Sequence, residues 1–339
     1  NGGRRPTLEM VALRAGVGRG TVSRVINGSD QVSPATRAAV QNAIAELGYV
    51  PNHAARTLVT RRTDTIALVV SEPDERLFAQ PFFADIVRGV SAVLNEREQQ
   101  LLLATSRSAD EHDRLGDYLT GHHVDGVLLV SLHRDDPLPD RLAEAGVPCV
   151  IGGRPQWQTR YPIHYVDIDN IGGAYMATRR LIQTGRRRIA TVAGPHDMVA
   201  GEDRLEGYRK ALRDSGRAAP GGLIARGDFS FESGEAAMRR LLAAVPDLDG
   251  LFVASDPMAL AAIRTLRDVG LRVPDDVAVI GYDDSSFASH SDPPLTTVHQ
   301  PTERMGAEMV RVLIDTVVPK AAGSSRLILD PHLVIRESG

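Results

Sequence analysis

The sequence predicts an α/β protein in two parts: a small all-α head carrying a helix-turn-helix, then a larger body of doubly wound α/β lobes. Three observations carry this. Residues 7–27 read as two short helices around a glycine-bearing turn. From residue 65 onward, apolar runs of four to six residues alternate with helix-period segments. Charge divides at the same place. Residues 1–62 hold nine arginines, no lysine and three acids, a surplus of six positive charges, whereas the other 277 residues carry a surplus of ten negative charges. The net charge of −4 therefore averages a basic head with an acidic body, the footprint of a polyanion-binding module joined to something else.

In the head, Thr7 can cap the first helix and Glu9 places a carboxylate in its positive first turn. Leu8, Val11, Ala12 and Ala15 fall on one helical face. Gly16-Val17-Gly18 breaks the helix, and a second follows with Val22, Val25 and Ile26 inward. Arg19, Gly20, Thr21, Ser23, Arg24 and Asn27 are left on or near the outward side. Such a pair is a helix-turn-helix, whose second helix would enter the DNA major groove. A plain helical hairpin at a domain edge has the same spacing. Ser33-Pro34 starts a third helix with a capping hydroxyl and a proline at the first helical position, and Gly48 ends it after Val40, Ile44 and Leu47. The head thus spans 1–50, followed by a short segment and linker over 51–63 and a body over 64–339. The segment NHAARTL, 52–58, is too short to hold a helix alone in water, although Asn52 can cap one.

In the body, buried parallel strands are expected at 65–70, 101–105, 126–130, 148–151, 188–193, 250–254 and 276–280. Helices are expected near 84–95, 111–120, 171–184, 202–215, 232–245 and 257–269. Alternation of this kind means right-handed βαβ units, and the body is long for one sheet, so two lobes are expected. The single cysteine, Cys149, excludes an intrachain disulfide and suits a reducing compartment. The first ten residues lack an apolar secretory core, and no run of 18 apolar residues occurs, so a cytoplasmic location is expected.

TLEMVALRAGVGRGTVSRVIN followed by VSPATRAAVQNAIAELGYVPNHAARTL resembles the head and hinge of the lactose/galactose repressor family. The likeness continues through PFFADIVRG, VDGVLLVS, DIDNIGGAYMATRRLIQTGRRRIATVAGP, SDPMALAAIRTL, VAVIGYDDSSFA and PPLTTVHQP. Within the family, RPTLEMVALRAGVGRGTVSRVING and VVSEPDERLFAQPFF resemble an actinobacterial branch of cellobiose-responsive repressors of cellulose use. The resemblance implies a homodimeric repressor on a palindromic operator. It implies a hinge helix that forms on DNA, and a two-lobed body of periplasmic-binding-protein type with a sugar in its cleft. Family tetramers carry a leucine-rich heptad tail, and this sequence ends LVIRESG, so a dimer is expected.

Matching family positions residue by residue, Arg19 and Arg24 would read bases, with Asn27 either contacting DNA or capping the helix. An arginine fork fits guanine O6 and N7, or it holds a phosphate. Gly20 departs from the family's usual side chain and reads nothing except through backbone. Thr7, Thr21, Ser23, Ser33, Thr36, Tyr49 and Asn52 match phosphate or sugar contacts, which position without reading sequence. Ala55 and Arg56 belong to the same DNA-binding hinge. Leu58 would wedge into the minor groove, the alternative being packing against the body.

For the effector, Arg204 and Asp283 are expected on opposing sides of a hydroxyl-rich ligand, unless they form a salt bridge between lobes. Phe82, Phe83 and Phe229 match pocket walls, with core packing the alternative for Phe83. Met198 stands where purine-responsive members carry arginine, which argues against a purine. Arg154, Ser255, Asp256 and Gln300 are further pocket candidates, and Trp157 is a candidate sugar stacker. No metal or cofactor is expected: GVGRGT at 16–21 lacks the third glycine of a dinucleotide loop and follows a helix, and His112, His122 and His123 lack partners for zinc. No enzyme is expected either. Asp283 and Asp284 are adjacent and would not face each other as an acid/base pair, and no G-x-S-x-G elbow is present.

Overall fold

The chain divides in the computed structural model into two units, Asn1–Thr63 and Asp64–Gly339. The structure describes residues 6–26, 28–50, 62–106, 109–155, 161–318 and 324–339. Asn27, Asn52, Ala55, Arg56, Leu58 and Trp157 lie outside the described residues.

In the first unit, helices α1 (Leu8–Ala15), α2 (Arg19–Ile26) and α3 (Pro34–Leu47) surround a small core. The Thr7 hydroxyl oxygen accepts the Met10 amide at 3.4 Å, and Ser33 accepts that of Thr36 at 3.3 Å. Gly16 ends α1 at φ 68°, a left-handed conformation that favours glycine. Val11, Ala12, Val22, Val25 and Val40 are buried together, as the apolar spacing requires. Val32 and Ala43 join them, and Tyr49 packs its partly buried ring against the same core.

Among the described residues the second unit holds two parallel sheets and a two-stranded ribbon. The first is wholly parallel and runs β2 (Gln100–Thr105), β1 (Thr65–Val70), β3 (Gly126–Val130), β4 (Cys149–Gly152), β5 (His164–Ile168) and β11 (Arg326–Leu329). With α4 (Asp74–Ala79), α5 (Pro81–Glu96), α6 (Ala109–Thr120), α7 (Leu138–Glu144) and α12 (Thr302–Val312) it makes lobe 1. The second sheet runs β7 (Ile224–Arg226), β6 (Ile189–Ala193), β8 (Gly250–Val253) and β9 (Ala278–Ile280), also parallel. With α8 (Asn170–Gln183), α9 (Val199–Asp214), α10 (Phe231–Ala244) and α11 (Asp256–Asp268) it makes lobe 2. An antiparallel ribbon of β10 (Thr297–His299) and β12 (His332–Val334) completes that lobe. Each sheet reverses its strand order beside its first strand, which places a crevice at the carboxyl ends of the strands.

The chain passes between lobes three times: after β5, between β10 and α12, and between β11 and β12. Helix α12 therefore returns to lobe 1, where it lies against α5 through two glycines. A Cβ on Gly89 would fall 1.9 Å from the Glu303 carbonyl oxygen, and one on Gly306 would fall 2.5 Å from that of Ile86. Helix α12 is continued by one π-helical turn, Leu313–Val317.

All seven expected strands are present, within a residue or two at their ends. Among the described residues, five more were not anticipated. HYVDI of β5 mixes polar residues into its run, β7, β10 and β12 are three residues long, and β11 is a half-exposed edge. None makes an apolar run that stands out from a loop.

Candidate functional site

Between the lobes lies a cavity with about 1240 Å³ of open space, its mouth included. Its wall is built from residues that follow strands. Lobe 1 supplies Glu72 after β1, Ser131 after β3, Arg154 after β4 and Asp167 in β5; lobe 2 supplies Met198, Phe229, Ser255, Asp283 and Gln300 after β6, β7, β8, β9 and β10. Three wall residues, Ser131 (φ 60°), Phe229 (φ 72°) and Asp283 (φ 120°), hold left-handed backbone that L-residues rarely adopt. Strain of that kind persists where the surroundings over-determine it, and it clusters at ligand sites.

The lobe 2 wall is organised around Arg204, which is 5 % exposed. Its Nε donates to Asn170 Oδ1 at 2.9 Å and its Nη1 to the Ala254 carbonyl at 2.6 Å. Nη1 also lies 3.4 Å from Asp283 Oδ1, which accepts from Gln300 Nε2 at 2.6 Å. The guanidinium sits 3.8 Å from the Tyr282 ring centre and 5.5 Å from that of Phe229. Two expectations are corrected. Arg204 and Asp283 do not oppose each other across a ligand: both belong to lobe 2, and they pair with each other. Asp256 is not on the wall but fully buried behind it, accepting from Thr297 Oγ1 at 2.6 Å and the Ser285 amide at 2.7 Å. As the first residue of α11 it faces the helix's own lobe rather than the cleft. Burial pushes both carboxyls above the usual range; the negative neighbour adds to this at Asp256, whereas Arg204 opposes it at Asp283.

Of the other expected wall residues, Phe82, Phe83, Arg154, Met198, Phe229, Ser255 and Gln300 all line the cavity. Phe83 is 3 % exposed and serves the lobe 1 core as well, with Phe82 edge-on to it at 5.1 Å.

Sequence reasoning missed the groups that tie the lobes together. Arg154 donates to Asp167 at 3.1 Å in its own lobe and to Asp203 at 2.6 Å in the other. Glu72, 3 % exposed, accepts from Arg76 at 2.9 Å and Ser131 at 2.8 Å and lies 3.5 Å from His133. Arg76 then reaches Asp228 of lobe 2 at 2.8 Å, and His133 reaches Asp197 at 2.7 Å. One buried carboxylate thus anchors two bridges across the cleft mouth. These pairs are 64 and 152 residues apart in sequence, so no local motif announces them.

His133 provides a test. Its hydrogen bond to Glu72, aided by Asp197, raises its pKa from 6.5 to about 9. A raised imidazole pKa adds stability that is fully present below pH 6.5 and lost as pH rises through about 9. The wild type should therefore melt above His133→Gln at pH 6.5, with the gap closing by pH ~9.5. The ring is half-exposed, so screening keeps the gap small. A gap that stays constant over this window would show that His133 is not charged in the bridge.

In the head, Arg19, Gly20 and Arg24 are exposed and Thr21 and Ser23 half-exposed on α2. Thr7, Ser33 and Thr36 are engaged in helix caps at the surface. Arg19 pairs with Glu9 at 3.1 Å, a contact the spacing did not suggest.

A basic helix-turn-helix head and a two-lobed body around a cleft lined by charged groups and apolar faces define a ligand-responsive DNA-binding regulator. The chain belongs to the lacI family of bacterial regulatory proteins, whose family model matches residues 7–52, and a periplasmic binding protein-like domain matches residues 178–339. It is a DNA-binding transcriptional regulator. It is 65 % identical over 336 residues to the HTH-type transcriptional regulator CelR of Thermobifida fusca, covering 99 % of each chain. It is 36 % identical over 334 residues to the ribose operon repressor of Escherichia coli (strain K12), covering 98 % of this chain and 99 % of that one. Among solved structures, a transcriptional regulator CelR–cellobiose complex matches with TM-score 0.80 at 62 % identity, covering 99 % of this chain and 100 % of the other. A lac repressor dimer bound to operator and the anti-inducer ONPF matches with TM-score 0.86 at 29 % identity, covering 99 % of each. Among the described residues, no helix is long and apolar enough to cross a membrane.

Proposed function

We propose that this protein represses genes of cellulose or cello-oligosaccharide use and leaves its operator when cellobiose, or a slightly longer cello-oligosaccharide, fills the cleft. The observation that carries this is the state of the cations. Among the described residues the cavity wall has three arginines, Arg76, Arg154 and Arg204, and every one is already paired with carboxylates. A phosphorylated or carboxylated effector would find no free positive charge. A neutral polyol finds many fixed donors and acceptors, with Phe82 and Phe229 as flat apolar faces for pyranose rings. The CelR–cellobiose complex, at 62 % identity, supports the disaccharide in particular.

In this reading the protein works as a cytoplasmic homodimer without catalytic activity. Two heads, 1–50, read a palindromic operator through Arg19 and Arg24, and the hinge at 51–63 inserts Leu58 into the minor groove. The body, 64–339, senses the sugar through Phe82, Phe83, Arg154, Met198, Arg204, Phe229, Ser255, Asp283 and Gln300. The lac repressor dimer on its operator supports the dimer and the DNA partner.

The test is an operator selected from random duplexes, labelled and followed by fluorescence anisotropy. Cellobiose should release it and raise the melting temperature of the body; a ligand at a hundredfold excess over its dissociation constant adds roughly 2.7 kcal/mol. Glucose 6-phosphate should do neither. Release by another glycoside but not by cellobiose would leave the repressor and remove the cellulose assignment. Hydrolysis of cellobiose during the assay would point to a sugar-active enzyme instead.

A further inference from the structure

The ion pair between Arg19 Nη1 and Glu9 Oε1 joins the first residue of α2 to the second residue of α1. The two side chains are 74 % and 60 % exposed. Glycines flank the arginine. A Cβ at Gly18 or Gly20 would meet nothing within 4 Å, so the pair projects from bare backbone. The backbone amide of Glu9 and the Thr7 hydroxyl hold the Glu9 carboxyl below its usual range, with Arg19 contributing less, so it stays ionised near neutrality.

A pair this exposed adds little to folding. Glu9 lies in the first turn of α1 and pairs with the first residue of the helix that would enter the major groove, and an acid there works against non-specific affinity because it faces phosphates. Its remaining consequence is geometric. A free arginine samples many rotamers, whereas one held by a carboxylate presents its fork in a narrower range of directions. Displacing water from the groove strengthens the pairing further. Guanine offers O6 and N7 to an arginine fork, and its partner cytosine offers an N4 donor that a carboxylate accepts. One Arg–Glu pair therefore matches both members of a single G·C pair.

We propose that Glu9 is a specificity-determining residue of the DNA-reading face, holding Arg19 edge-on to guanine and accepting from the paired cytosine. This rests on Arg19 reading a base.

The experiment uses the full chain, the palindrome recovered by selection from random duplexes, and its single-base-pair variants. Arg19→Ala first identifies the base pair that Arg19 reads. Glu9→Gln should then lose discrimination at that same base pair, by roughly fivefold to a hundredfold, while binding to unrelated duplex is unchanged or stronger. Combining Glu9→Gln with Arg19→Ala should add nothing at that position. Glu9→Asp, which is charged but shorter, should retain part of the discrimination and serves if Glu9→Gln does not fold. The proposal is overturned if Glu9→Gln strengthens binding to every duplex and leaves discrimination intact. It is also overturned if its loss falls at a different base pair. If Arg19→Ala shows no base preference to lose, the proposal falls together with that reading, and the single variant reveals it.

Discussion

Replacing Arg204 with methionine is expected to destabilise the body by about 3–5 kcal/mol, the cost of leaving a buried charge without its partner. The side chain is only 6 % exposed, and its methylene stem and planar head fill a slot between Tyr282 and Phe229. Methionine approximates the stem but loses every donor. Asn170 Oδ1 and the Ala254 carbonyl lose their partner, and each unpaired buried acceptor costs about 1–3 kcal/mol. Asp283 loses its counter-charge, and with it the brake on burial that already pushes its carboxyl upward. Burial then pushes the Asp283 carboxyl further upward, toward its neutral form. Urea unfolding followed by circular dichroism should show the transition that reports the body moving to lower denaturant. A loss below 1 kcal/mol would mean that water or a neighbouring side chain replaces the guanidinium, and that Arg204 is not the organiser of the lobe 2 wall.

Much of this architecture was legible because its signals are local. Thr7, Gly16, Ser33-Pro34 and Gly48 mark helix ends within a few residues of themselves, and the structure places caps and left-handed turns at those positions. Six of the seven expected strands are buried and stand out because such strands are apolar on both faces, as GVLLV of β3 shows; the seventh, β2, is an outer strand with no fully buried residue, and its apolar LLLAT run overstated its burial. What stayed hidden is non-local. β11 joins lobe 1 through parallel pairing with β5 some 160 residues earlier, and a half-exposed RLIL carries no mark of that partner. The same holds in the cleft. Met198, Ser255 and Gln300 lie where strand ends are brought together, so reading the position after each strand would also have found Glu72 and Ser131. Which carboxylate meets which arginine depends on lobe closure. Closure explains why Arg76–Asp228 was not expected at all, whereas Arg204 and Asp283 meet inside lobe 2 across 79 residues of sequence that no local motif spans.

Asp283→Asn should raise the effector's dissociation constant by roughly tenfold to a hundredfold while operator affinity without effector stays unchanged. The carboxylate sits at the end of β9 with its Oδ1 between Arg204 and Gln300 and its backbone at φ 120°. Asparagine keeps its volume and tolerates left-handed backbone, so the lobe should stay folded. It removes the charge, and a charge-assisted bond to a sugar hydroxyl is about twice as strong as a neutral one. A ligand shifts the equilibrium between DNA-bound and DNA-free forms only by the difference in its affinity for the two. Weakening contacts made in the effector-bound form therefore moves the release curve to higher sugar concentration without touching the head. Asp283→Ala should go further, leaving a protein that holds its operator at every accessible cellobiose concentration, because Gln300 and Arg204 then lose a shared acceptor as well. Anisotropy of labelled operator titrated with cellobiose, run beside calorimetric titration of the sugar, separates the two steps. Full release by both variants at wild-type sugar concentrations would reduce Asp283 to a structural strand-end carboxylate. Loss of operator binding before any sugar is added would instead show that the lobe 2 wall communicates with the head in the empty protein.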